Sequence, residues 1–121
     1  MTEFFFDSYA LVEIAKRNQR FMPYTSYKVI LTKLNLFELH YALIRDGLIE
    51  LGELALSDYR EFLVDFDLFD IKQAAQLKLK FKKRKLSMTD CIGYVLAQKA
   101  GLKFLTGDKE FADLPGVEFV K

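Results

Sequence analysis

The sequence predicts an α/β fold, a three-layer α/β/α sandwich around a parallel sheet. Two observations carry this expectation. Short runs that are apolar throughout alternate with longer stretches whose apolar residues recur every three or four positions. Strands apolar on both faces are strands covered on both sides, the condition of a parallel sheet joined by right-handed crossovers. A chain of 121 residues suits one compact domain, expected over residues 1–121.

Phe4-Phe5-Phe6 is the first apolar run, and it stops at Asp7-Ser8. Tyr9 to Asn18 follows with helical spacing, Leu11, Val12, Ile14 and Ala15 forming the inward stripe. Pro23 and Thr25-Ser26 end that unit, and Val29-Ile30-Leu31 reads as a second strand. From Leu36 to Arg45 the residues Leu36, Leu39, Ala42 and Leu43 mark a second helix, closing near Asp46-Gly47. Between Leu48 and Phe66 the pattern is hardest to read; a helix and then a third strand around Leu63-Val64 are expected. Leu68 to Lys83 reads as a long helix capped by Asp67. Met88 to Lys99 is another, with Met88, Cys91, Ile92, Val95 and Leu96 inward and Gly101 as its stop. Phe104-Leu105-Thr106 is a strand, Lys109 to Asp113 a helical turn, and Val117 to Val120 a final strand.

Composition excludes several classes. With 51% apolar and 29% charged residues the balance is that of an ordinary globular domain. A net charge of +1 gives no molecule-wide field for nucleic acid or membrane, so any electrostatic signal must be local. One Cys and one His rule out an internal disulfide framework and a Cys/His zinc site. The lone Cys91 fits a reducing compartment. No apolar run is long enough to cross a bilayer, and Glu3, Asp7 and Glu13 break the pattern of a secretory signal. A cytoplasmic protein without membrane association is expected.

In an open parallel sheet, ligands bind beyond the carboxyl ends of the strands. Asp7 directly follows the first strand and Asp108 the Phe104–Thr106 strand. Glu38 is expected in the first turn of the helix after the second strand, and Asp90 in the first turn of its own helix. Four carboxylates at one edge would repel each other and raise their own pKa values; a hard divalent cation, Mg²⁺ or Mn²⁺, removes that cost. Each acid has a second reading as a helix cap. Ser87-Met88-Thr89-Asp90 has capping-box spacing, Asn35-Leu36-Phe37-Glu38 has the same form, and Asp7 and Asp108 can each cap the segment that follows. Their coincidence at one edge favours the site. His40, the only histidine, lies two residues past Glu38 and so faces another side of the helix, away from a general-base role.

The segments Phe4-Phe5-Phe6-Asp7-Ser8, Phe37-Glu38-Leu39, Ser87-Met88-Thr89-Asp90 and Thr106-Gly107-Asp108-Lys109-Glu110-Phe111 resemble, in order and spacing, the motifs of PIN-domain nucleases. Among these the VapC-like toxins of type II toxin–antitoxin pairs are the most similar. The resemblance is most specific from Lys85 onward and weakest between Arg45 and Asp70. It implies a parallel five-stranded sheet, one or two Mg²⁺ or Mn²⁺ ions, hydrolysis of RNA phosphodiester bonds, a small antitoxin partner and a homodimer. Carried over by motif, Asp7, Glu38, Asp90 and Asp108 would be the catalytic acids and metal ligands. Ser8 or Thr106 would supply a hydroxyl that orients ligands or bound water. Tyr9 stands where the family usually has a small residue and would narrow the entrance.

The run Lys78 to Lys85 concentrates positive charge directly before the Ser87–Asp90 motif. Lys82, Lys83, Arg84 and Lys85 are therefore placed either to bind RNA phosphates flanking the scissile bond or to form a solvated helix end. Twelve Phe and six Tyr are many for this length, and Tyr9, Phe21, Tyr24 and Tyr41 would suit a partner surface. Two other readings compete. A non-catalytic PIN-like module binding RNA or protein would be free to lose the acids. A flavodoxin-like phosphatase would want a second aspartate two residues after Asp7, where Tyr9 stands, and a receiver domain would want a phospho-acceptor and late-strand lysine that are not found.

Overall fold

The computed structural model describes residues 3–121; Met1 and Thr2, at the start of the expected domain, lie outside the described residues. Strands β1 (Phe4–Phe6), β2 (Lys103–Thr106) and β3 (Val117–Phe119) form a wholly parallel sheet in the order β1-β2-β3. Phe5 pairs with Phe104, and Leu105 with Glu118. The helices are α1 (Ser8–Ala15), α2 (Lys33–Arg45), α3 (Ile49–Asp58), α4 (Leu68–Lys80) and α5 (Met88–Lys99), with 3₁₀ turns at Met22–Ser26, Arg60–Phe62 and Lys109–Phe111.

The pleat sorts the strand side chains into two cores. Phe4, Phe6 and Leu105 pack with Leu11, Leu39 and Leu43 from α1 and α2. Phe5 and Phe104 point the other way, into Ala74, Ile92 and Phe111. Helices thus cover both faces, which is why Phe4–Phe6 and Phe104-Leu105 are apolar at successive positions.

The sheet is narrower than the five strands expected. The Ile30 carbonyl accepts from the Phe6 N–H at 2.9 Å, and Leu31 meets Leu63 in a single parallel bridge. These two segments extend the sheet without becoming strands. Thr32 already caps α2, so the run Val29–Leu31 turns into a helix after one ladder position. The turn Arg60–Phe62 delivers the chain to Leu63, and Asp67 caps α4 four residues later.

Capping sets the helix starts. The Thr32 hydroxyl accepts from the Asn35 N–H, and Asn35 Oδ1 accepts from the Thr32 N–H at 3.0 Å. The helix therefore begins at Lys33, the expected Asn35–Glu38 box does not form, and Glu38 sits in the second turn. The expected caps at Asp67 and Ser87 are present, each closed by an aspartate three residues on. Helix α4 ends at Lys80, three residues short of the expectation. Gly47 (φ 80°) and Gly101 (φ 71°) take the left-handed conformation just past α2 and α5. In each case the glycine and the next residue donate to the last turn, Gly47 to Ile44 and Leu48 to Leu43, Gly101 to Gln98 and Leu102 to Ala97. Met88, expected inward, opens α5 and stays in solvent, whereas Phe21, expected on a partner surface, is buried in the first core.

Helix α5 crosses the sheet at Gly93. A Cβ there would lie 2.8 Å from a Phe5 ring carbon and 3.1 Å from one of Phe104. Gly93→Ala is expected to cost about 1–3 kcal/mol through overpacking. Urea unfolding reads this as a lower midpoint at unchanged slope; an unchanged midpoint would show that the two rings yield freely.

Candidate metal centre

The site is assembled at the carboxyl ends of β1 and β2. The Asp7 N–H donates to the Leu105 carbonyl at 3.0 Å, which fixes Asp7 beside the end of β2. Its Oδ1 accepts from the Ser8 N–H at 2.8 Å, capping α1, and its Oδ2 accepts from the Thr106 hydroxyl at 2.6 Å. That hydroxyl in turn accepts from the Asp108 N–H at 3.0 Å, so one threonine ties two of the acids together. Asp7 and Thr106 are buried. Asp108 caps the Lys109–Phe111 turn by accepting from the Glu110 N–H at 3.0 Å. Asp90 closes the α5 capping box by accepting from the Ser87 N–H at 2.9 Å.

Three of the four acids are therefore caps, and all four also share one space. Asp7, Glu38, Asp90 and Asp108 line a cavity of about 380 Å³ with Ser8, Tyr9, Glu13, Arg45 and Ser87. The two readings do not compete, because a carboxylate offers roughly four lone-pair sites and a cap uses one.

Burial, followed by the charges of Asp90 and Asp108, holds the Asp7 carboxyl well above its usual range, against the donors Thr106 and Ser8. Burial also raises Asp90, with Asp108 and Glu38 adding to it against the Ser87 donors. Negative charge is in excess here, as clustered carboxylates require.

The donor set is all oxygen, which suits a hard cation such as Mg²⁺ or Mn²⁺. Among the described residues no three Asp, Glu, His or Cys side chains converge into a ready-made cage. That is compatible with Mg²⁺, which keeps several waters and commonly takes one or two carboxylates together with substrate phosphate. The residues fit such an ion by their chemistry.

Tyr9 is 45% exposed at the cavity and its ring lies over Gly107, where a Cβ would come within 2.4 Å of a ring carbon. The expected narrowing thus depends on a glycine opposite. His40 Nδ1 sits 2.9 Å from the Gly52 carbonyl and joins α2 to α3, outside the acid cavity.

The basic run divides. Arg84 is bidentate to Asp113 at 2.7 and 3.1 Å, donates to the Glu110 carbonyl at 2.8 Å and stacks 4.6 Å from the Phe81 ring centroid. Its guanidinium ties the turn after α4 to the Lys109–Phe111 turn and Asp113. Lys82, Lys83 and Lys85 are exposed on that turn, and none lines the acid cavity.

Three residues at the site escaped the sequence reading: Asn35, Arg45 and Glu13, a fifth carboxylate in the cavity that accepts from Asn18 Nδ2 at 2.8 Å. Asn35, fully buried, donates from Nδ2 to Ser8 Oγ at 3.0 Å and accepts from the Thr32 hydroxyl at 2.7 Å, tying α2 to the start of α1. The Thr32-x-x-Asn35 spacing was its only signal. Arg45 lines the cavity and pairs with Asp46 at 3.1 Å; its place seven residues after Glu38, on the same helix face, could have revealed it.

Residues 4–117 match the family described as PIN domain. No curated protein is found to match the sequence. Among solved structures, a toxin–antitoxin complex from Klebsiella pneumoniae contains a chain that is 18% identical, with a TM-score of 0.77 over 99% of this chain and 98% of that one. The PAE2754 protein of Pyrobaculum aerophilum is 19% identical, with a TM-score of 0.71 over 98% of this chain and 91% of that one. A chain of VapBC2 from Rickettsia felis, bound to a DNA fragment from their promoter, is 16% identical, with a TM-score of 0.71 over 98% and 97%. At these identities the likeness is one of fold.

Proposed function

The chain belongs to the PIN domain family, and from that premise we propose that it is a metal-dependent endoribonuclease, the VapC-like toxin of a toxin–antitoxin pair. The reading takes residues 1–121 as the single domain. The observation that carries it is one cavity lined by five carboxylates, Glu13 and the four expected acids from four distant segments, with Asp7 and Asp90 held above their usual pKa range.

Asp7, Glu38, Asp90 and Asp108 would hold Mg²⁺ or Mn²⁺. An ion held there would supply Lewis-acid chemistry, lowering the pKa of a bound water and offsetting charge on phosphate oxygens. The remaining work falls to the chain itself. The Thr106 hydroxyl orients Asp7 and, through the Asp108 N–H, the Asp108 corner. Ser8 Oγ accepts from Asn35, which leaves its own proton for a water or phosphate oxygen in the cavity. Lys82, Lys83, Arg84 and Lys85, just before the Ser87–Asp90 corner, would contact flanking phosphates of the RNA.

Two of the similar structures contain toxin–antitoxin pairs, which supports a small antitoxin as partner. The same reading carries a homodimer and a cytoplasmic location, where the RNA substrate lies. Among the described residues no helix is long and apolar enough to cross a membrane.

Purified protein, stripped of any partner and incubated with RNA, is expected to cut it with Mg²⁺ or Mn²⁺ and not with chelator. RNA binding without cleavage under either metal would instead point to the non-catalytic module.

A further inference from the structure

Helix α2 presents Lys33, Phe37, Tyr41 and Arg45 at successive four-residue steps along one side, all exposed. Phe37 is 69% exposed and Tyr41 52%. Their rings are nearly parallel, 10° apart in plane with centroids 6.5 Å apart, and the Arg45 guanidinium lies 5.8 Å from the Tyr41 centroid. Arg45 also lines the acid cavity, as do Glu38 and Ala42 of the same helix. The stripe therefore runs about 18 Å along the helix and ends on the cavity rim.

We propose that Lys33, Phe37, Tyr41 and Arg45 form a stacking platform for the unpaired bases of a single-stranded nucleic acid, leading the strand into the acid cavity. Aromatic faces flanked by cations at both ends match a single strand, whose bases stack on the rings while its phosphates meet the cations. A duplex has no free base faces to offer them. Continuity with the acid cavity favours nucleic acid over a protein partner, whose helix would want aliphatic walls on either side rather than a charged end at each. What the cavity does with the strand rests on the ribonuclease reading; the platform does not.

The test is binding of a fluorescein-labelled oligouridylate of about twelve nucleotides, followed by anisotropy on the full chain with chelator present, so that no cleavage intrudes. Phe37→Ala and Tyr41→Ala should each weaken binding about tenfold, Tyr41→Phe should leave it unchanged, and affinity for a duplex of equal length should not move. Both side chains are exposed, so the variants keep their fold. The chain has no tryptophan, so Phe37→Trp places a single emitter on the platform, and oligouridylate should quench it. Unchanged single-strand affinity in both alanine variants would overturn the proposal, as would unmoved emission at saturation; a face covered by a protein partner would give that result. A wild type that binds through this stripe yet never cuts under Mn²⁺ overturns the ribonuclease reading alone.

Discussion

Asp7→Asn is expected to slow metal-dependent RNA cleavage at least about a hundredfold while the chain still folds. Partners one shell outside a metal site typically cost about 10–100-fold when removed, and Asp7 is assigned to the site itself. The amide oxygen can still accept from the Ser8 N–H, so the cap on α1 survives. The amide nitrogen would face the Thr106 hydroxyl, which now donates to Asp7 while accepting from Asp108. That hydroxyl cannot keep both roles, so the swap costs about one hydrogen bond, on the order of 1 kcal/mol. Removing a buried charge offsets some of that. Single-turnover cleavage with near-UV circular dichroism separates the two effects, and a variant that folds and cuts at the wild-type rate would remove Asp7 from the centre.

Stability of the metal-free protein should fall with rising pH, and Mn²⁺ should restore it. Burial, with the neighbouring acids, raises Asp7 and Asp90 above the ordinary aspartate range. A carboxyl whose pKa is raised by folding favours the folded state fully below the unfolded value. That contribution is lost as pH climbs through the folded value. The opposite limb comes from carboxyls held low. Lys16, followed by Arg45, brings Asp46 down to about 2, and Arg84 lowers Asp113. Burial would raise Asp70, but the Asp67 N–H and Lys99 keep it below its ordinary value. Their stabilisation is present above the ordinary aspartate range and is lost as pH falls through their depressed values. Between the limbs lies a maximum. A bound divalent cation acts only on the alkaline limb, and at a hundred times its dissociation constant it adds about 2.7 kcal/mol, a midpoint rise on the order of 10 °C. Thermal melts across pH with chelator and with Mn²⁺ check this; parallel curves would show that no cation answers the Asp7–Asp90 charge.

The layering was readable because it is local. Runs such as Phe4–Phe6 and Phe104–Thr106 are short and bounded by polar residues or glycine, as buried strands are, and the spacing of Leu36, Leu39 and Leu43 is that of one helix face. Sheet width was not readable. Whether Val29–Leu31 becomes a strand depends on where Thr32 starts α2 and where a distant turn delivers Leu63. The same Thr32 cap moved Glu38 by a turn, since Thr32 and Asn35 offer overlapping capping patterns.

At the site, sheet-edge logic placed Asp7 and Asp108, and the acids' double life as caps needed no choice between roles. Long-range partners stayed hidden. Arg84 meets Asp113 across 29 residues, and Asn35 meets Ser8 across 27. No periodicity in the intervening chain records either contact.

Calorimetric titration of chelator-stripped protein with Mn²⁺ tests the central claim, that the four acids hold a divalent cation. Saturable binding is predicted for the wild type, about tenfold or more weaker in Asp90→Asn and lost when Asp7→Asn and Asp90→Asn are combined. Equal Mn²⁺ affinity in the wild type and the double variant would contradict the account and place any metal outside this cavity.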